Sequence, residues 1–76
     1  MLIETYRDES FNITKPVKVS LGKGTMWYIC SDECEGPIIG SGNPARVRSL
    51  ARDINKYLER GEEKITIATL SMVFVG

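Results

Sequence analysis

Residues 43–61 read NPARVRSLARDINKYLERG, and the fold is decided by how this run is read. Asn43 is a good helix N-cap and Pro44 suits the first helical position. Val47, Leu50, Ala51, Ile54 and Leu58 then recur at helical spacing and form one apolar face. Gly61 is a natural stop. The spacing predicts a helix of about 17 residues, roughly 25 Å long, with one side committed to a core.

The sequence on either side of this helix reads as strands. Leu2 to Tyr6 is a short strand and Arg7 to Ser10 a polar turn, after which Phe11 and Ile13 anchor the chain back on the core. Val17, Val19 and Leu21 alternate with Lys18 and Ser20, the period of a half-buried strand, with Pro16 at its first position. Gly22-Lys23-Gly24 marks a hairpin turn. In Thr25 to Ser31, Met26, Tyr28 and Cys30 share one face, and Trp27 and Ile29 the other. Both faces are apolar, which predicts a central strand. Asp32 to Gly36 is an acidic loop and Pro37 to Gly40 a further short strand. After the helix, Lys64 to Val75 reads as one long strand whose apolar parity shifts near Ala68-Thr69, the mark of a bulge or break. The expected class is α+β: an antiparallel β-sheet of about four to five strands with a single amphipathic helix packed on one face, in the order β-β-β-(β)-α-β.

Seventy-six residues make a single small domain, 1–76. A domain this size buries roughly 60% of the surface its unfolded chain exposes, so its core is modest. A hydrophobic fraction of 42% is too high for a disordered chain. Ten Lys plus Arg balance ten Asp plus Glu. Zero net charge argues against a strong sequence-independent nucleic-acid binder and leaves room for a homodimer. No apolar run approaches the ~20 residues of a membrane span, and MLIETYRDES is unlike a signal peptide, so no membrane partner and a cytoplasmic location are expected. Histidine is absent. That removes the commonest general base and the commonest transition-metal ligand.

The chemistry-bearing feature is charge. Arg48, Arg52, Lys56 and Arg60 recur every four residues on the predicted helix. Like-charge pairs at that spacing repel by ~0.2–0.5 kcal/mol each, and Asp53 and Glu59 lie close enough along the helix to offset part of it. Arg46 and Arg48 sit in the first turns, where the helix macrodipole favours an acid. Arg46 also fills the position at which a capping box places Glu or Gln. Two such departures at one helix end point to an anion or an acidic surface met there. The bland alternative is a solvated face whose arginines pair with the protein's own acids.

Gly40-Ser41-Gly42-Asn43 precedes the helix and fits G-x-G-x-x-A together with Pro44 and Ala45. Backbone N–H groups at a helix start can hold a small anion. A dinucleotide domain needs repeated βαβ units and a longer chain, so N-capping is the simpler reading. The stretch Ile38-Ile39-Gly40-Ser41-Gly42 entering the helix resembles the strand–helix junction of proteasome-type hydrolases. The order of strands before a helix is similar to the partial-RNase-H-like antitoxin domains of the HicB family. Neither resemblance assigns a role to any residue.

Cys30 and Cys34 are too few for a zinc site within one chain, and their spacing is not that of a redox C-x-x-C. Cys30 reads as a small core residue and Cys34 as a loop thiol. The neighbouring Asp32, Glu33 and Glu35 would raise both thiol pKa values. That acidic cluster fits no calcium loop and reads as solvated. Trp27, Tyr28, Tyr6 and Tyr57 could stack on bases, but the aromatics lie mainly on strands and the cations mainly on the helix, so the two groups need not share a face. No catalytic residue, metal or cofactor is expected.

The leading expectation is a non-catalytic protein-binding module, not an enzyme. It would use Arg46, Arg48, Arg52, Lys56 and Arg60 against an acidic surface of a larger protein or nucleoprotein complex. Small size and the lack of a catalytic motif suit a phage or mobile-element inhibitor, anti-CRISPR-like, that occludes a host nucleic-acid-handling complex. The alternatives are direct nucleic-acid binding by the same helix, and a small anion- or phosphate-binding protein built on the Gly40–Asn43 turn.

Overall fold

A computed structural model of the protein describes residues 1–5 and 7–67. Tyr6 and the expected bulge at Ala68-Thr69, with the remainder of the last strand to Val75, lie outside the described residues.

The expected α+β class holds. Six strands and one helix follow in the order β1 (Leu2–Thr5), β2 (Ser10–Asn12), β3 (Lys18–Leu21), β4 (Trp27–Cys30), β5 (Ile39–Ser41), α1 (Pro44–Glu59) and β6 (Lys64–Ile67). The strands divide into two three-stranded sheets, β2-β1-β6 and β3-β4-β5, where the sequence suggested one. The second sheet is an antiparallel meander with β4 in the centre, as its two apolar faces require. In the first sheet β1 pairs antiparallel with β2 but parallel with β6, Ile3 lying opposite Ile65 and Thr5 opposite Ile67. β2 is the added strand, and it holds Phe11 opposite Ile3.

The break between the sheets has a local cause. Four consecutive residues, Thr14 to Val17, give nothing to a strand ladder. The N–H groups of Thr14 and Lys15 donate to Oε1 of Glu33 at 2.8 and 2.7 Å, and the Thr14 hydroxyl donates to Oε2 at 2.8 Å. Pro16 has no N–H. The N–H of Val17 donates to Oδ1 of Asn55 on α1 at 2.8 Å. The chain therefore turns a corner, and β3 begins at Lys18, two residues beyond the Pro16 start expected from sequence.

These three hydrogen bonds hold the Glu33 carboxyl below the usual carboxylate range, first through the Thr14 N–H, then through its hydroxyl, then through the Lys15 N–H. A carboxylate whose folded pKa is depressed contributes stability above its unfolded pKa and loses it as pH falls through the folded one. Glu33→Gln is expected to lower the melting temperature at neutral pH. The gap from the parent should close on acidification through the carboxylate range. Parallel thermal melts against pH test this, and a gap that stays constant would remove Glu33 from the corner.

One core serves both sheets. Ile3 and Ile67 from the first sheet, Ile29 and Ile39 from the second, and Val47, Ala51 and Ile54 from α1 form a single buried cluster, with Ile13, Val17 and Ile38 from the connecting segments. α1 lies against β3, β4 and β5. Its N-terminus is capped as the sequence predicts, Oδ1 of Asn43 accepting from Ala45 N–H at 3.1 Å and Arg46 N–H at 3.4 Å. Its C-terminus closes in a Schellman pair, Gly61 N–H to Leu58 O and Glu62 N–H to Tyr57 O, both at 3.1 Å. Gly61 takes the left-handed φ of 77° that this motif requires.

The apolar row of β3 does not stay in the core. Val17 is buried, Val19 is half-buried and Leu21, at the hairpin end of this edge strand, is 56% exposed. On the opposite face of the sheet, Tyr28 lies between Gly22 and Gly40. A Cβ on either glycine would come within 3.0 Å of the ring. Gly40→Ala is therefore expected to cost about 1–3 kcal/mol although alanine suits a strand better than glycine. In a Tyr28→Ala background most of this cost should disappear, the remaining close neighbour of the new Cβ being the Trp27 carbonyl oxygen at 3.1 Å. Urea melts of the four chains close this cycle. Equal costs in both backgrounds would mean that the ring is not the obstacle.

Candidate functional site

With Val47, Ala51 and Ile54 facing the core, the far side of α1 is solvent surface. Arg46, Arg48, Arg52, Lys56 and Arg60 are all exposed. A four-residue step turns about 40° further round a helix of 3.6 residues per turn. Arg48 thus flanks one side of the core face, Arg52 and Lys56 occupy the middle of the outer surface, and Arg60 has moved toward the other flank. Arg46, two residues before Arg48, points nearly opposite to it. The five cations cover the whole outer surface of the helix instead of forming one line.

Their contacts separate them further. The Arg48 guanidinium carbon sits 5.3 Å from the centroid of the Trp27 ring. Trp27 shares the helix-facing side of β4 with Ile29, so the long arginine at the helix flank reaches across it. This is the cation–π arrangement, worth about 0.5–1 kcal/mol at an exposed position. Arg60 lies 5.9 Å from the Tyr57 ring on the same helix. The side chains of Arg46, Arg52 and Lys56 make no hydrogen bond, ion pair or ring contact with a described residue. Asp53 and Glu59, the offsetting acids expected from spacing, form no ion pair with them. The ion pairs among the described residues lie elsewhere, Lys18–Asp32 at 3.1 Å and Lys64–Glu4 at 3.0 Å. The three like-charge pairs along α1, 48/52, 52/56 and 56/60, therefore repel at a cost on the order of 1 kcal/mol with no ion-pair compensation in place.

The glycine turn is built differently from an open anion cradle. Gly40 and Ser41 belong to β5. Oγ of Ser41 accepts from Asn43 N–H at 3.0 Å, and the side chain of Asn43 takes the next two free N–H groups. Pro44 has none to offer. The N–H groups of Asn43, Ala45 and Arg46 are thus engaged by the chain's own side-chain oxygens.

Cys30 and Cys34 are free and half-buried. Cys34 lies in the loop after β4, as read from the sequence, and packs against the core from there. Burial, and not the neighbouring acids, pushes the Cys30 thiol up. Among the described residues no three His, Cys, Asp or Glu side chains are grouped to hold a metal ion, and no helix is long and apolar enough to cross a membrane.

The juxtaposition of Arg48 with Trp27 was not legible from spacing, which places the cations mainly on the helix and the aromatics mainly on strands. The signal available was the parity of β4, which puts Trp27 on the side facing the helix. Compared with models of known families, with curated proteins and with solved structures, the chain matches none.

Proposed function

We propose that this chain is a non-catalytic binding module that docks the outer surface of α1 onto an acidic surface of a larger protein or nucleoprotein complex. The observation that carries this reading is the state of Arg52 and Lys56. They are exposed, adjacent at the centre of the helix surface, and without a carboxylate partner among the described residues. Their repulsion costs the free chain a little stability, and an acidic partner would remove that cost. Arg48, held over Trp27, extends the surface to one side. A nucleic-acid-handling complex offers such a partner, and a chain this small would act on it by occlusion.

Direct nucleic-acid binding uses the same cations and is the second reading. Their lack of partners favours it too, while the zero net charge of the chain weighs against it.

The test is a paired pull-down from nuclease-treated lysate with the parent chain and with Arg52→Glu/Lys56→Glu. Both substitutions are at solvent-exposed positions, so the variant is expected to melt like the parent. A protein that the parent retains and the variant loses supports the module. A protein retained equally by both rejects the helix surface. A gel shift on bare duplex or single-stranded RNA, lost in the variant, would move the reading to nucleic acid.

A further inference from the structure

Leu21 is the most exposed large apolar residue among those described, at 56%. In the β3–β4 ladder it stands directly opposite Trp27, so the two side chains share one face of the sheet. Arg48 lies over the Trp27 ring, and Arg52 follows one helical turn later. The hairpin end of the second sheet and the flank of α1 thus bring together an exposed leucine, a half-buried tryptophan and Arg48, with Arg52 one turn further along the outer surface of the helix. Neither arginine has a carboxylate within ion-pair distance among the described residues. Tryptophan and arginine are the residues most often found to anchor protein interfaces. The cation–π contact also holds the arginine in place, which lowers the ordering cost of using it.

We infer that this corner is the anchor of the docking surface, and that its occupant is an acidic amphipathic protein segment. Leucine-like side chains of the segment would cover Leu21 and the open edge of Trp27. Its carboxylates would meet Arg48 and Arg52. The inference rests on the binding-module reading and adds to it the chemistry of the partner. Charge selects the occupant: a purely apolar segment would bury two unpaired guanidinium groups, and a purely acidic one would leave Leu21 uncovered.

Trp27 is the single tryptophan of the chain, so its fluorescence reports this corner alone. The probes are two synthetic peptides with the same number and placement of glutamates, one with leucines between them and one with serines. The intact chain is expected to bind the leucine peptide about ten-fold more tightly, a factor ordinary for one buried anchor side chain. Trp27 emission should shift on binding. Leu21→Ser, a change at an exposed position, should remove the preference for leucine and leave the weaker affinity for the serine peptide. Equal affinities with an unchanged Trp27 spectrum would overturn the anchor, while loss of both in Arg52→Glu/Lys56→Glu would leave the basic docking surface standing. Binding of neither peptide would overturn the acidic-segment occupant, and the pull-down would still decide the broader reading. A parent chain that sediments as a dimer and becomes a monomer on Leu21→Ser would show a second copy in the corner and overturn the inference as well. So would displacement of the leucine peptide by an oligonucleotide duplex at lower concentration.

Discussion

Ile54→Ala is expected to destabilise the protein by about 2–5 kcal/mol, the range for a large-to-small change at a closed core position. Ile54 is 1% exposed and sits with Val47 and Ala51 on the face of α1 that covers the second sheet. Truncation removes apolar area from the core and leaves a cavity that the surrounding strands can close only in part. A domain of this length has a total stability of roughly 4–11 kcal/mol, so one such change removes a large share of it. Urea denaturation should show a lower midpoint with an unchanged slope. Leu50→Ala, at a half-buried position on the rim of the same face, should cost less. A loss near zero at Ile54 would mean that α1 presents a different face to the sheets.

Asn55→Leu is expected to cost about 2–4 kcal/mol, although leucine is the better helix former. Oδ1 of Asn55 accepts from Val17 N–H at 2.8 Å, and Nδ2 donates to Val17 O at 3.2 Å. The side-chain amide behaves as one unit of a neighbouring strand and ties the helix to the corner where the two sheets part. Leucine would leave both backbone groups unpaired beside an apolar side chain, which costs more than the net value of the two bonds. Asn55→Asp separates the parts. It keeps the acceptor and faces Val17 O with a second acceptor, so it should also destabilise. Chemical denaturation of both variants measures the effect. An Asn55→Leu chain as stable as the parent would show that water replaces the amide at Val17.

The basic surface and the core are opposite consequences of one helix, and that much could be read from spacing. The apolar positions 47, 51 and 54 and the cations at 52 and 56 follow a local period, so the chain near each residue is enough to place them. Contacts between elements were less legible. Arg48 and Trp27 are separated by a whole strand and a turn. Leu21 fits the alternating pattern of β3 as well as Val17 does, yet one is buried and the other exposed, because burial depends on which other elements cover the strand and not on its own pattern. The expected pairing of the helix cations with Asp53 and Glu59 also failed at this level, since sequence spacing permits an ion pair without requiring the rotamers that make one.

Local patterns suffice for the helix, with its Asn43 cap, its Gly61 stop, its apolar face and its five outward cations. They also suffice for the central place of β4 and the α+β class. These follow from steric and hydrogen-bonding preferences that act within one turn of helix or one strand. The packing of the whole domain sets the division of the strands into two sheets, the parallel return of β6 to β1, the hold of Asn55 and Glu33 on the corner between the sheets, and the seat of Arg48 on Trp27. Each of these joins residues far apart in the chain. Such contacts are chosen by the burial and backbone satisfaction of the whole domain, for which no local pattern carries the register.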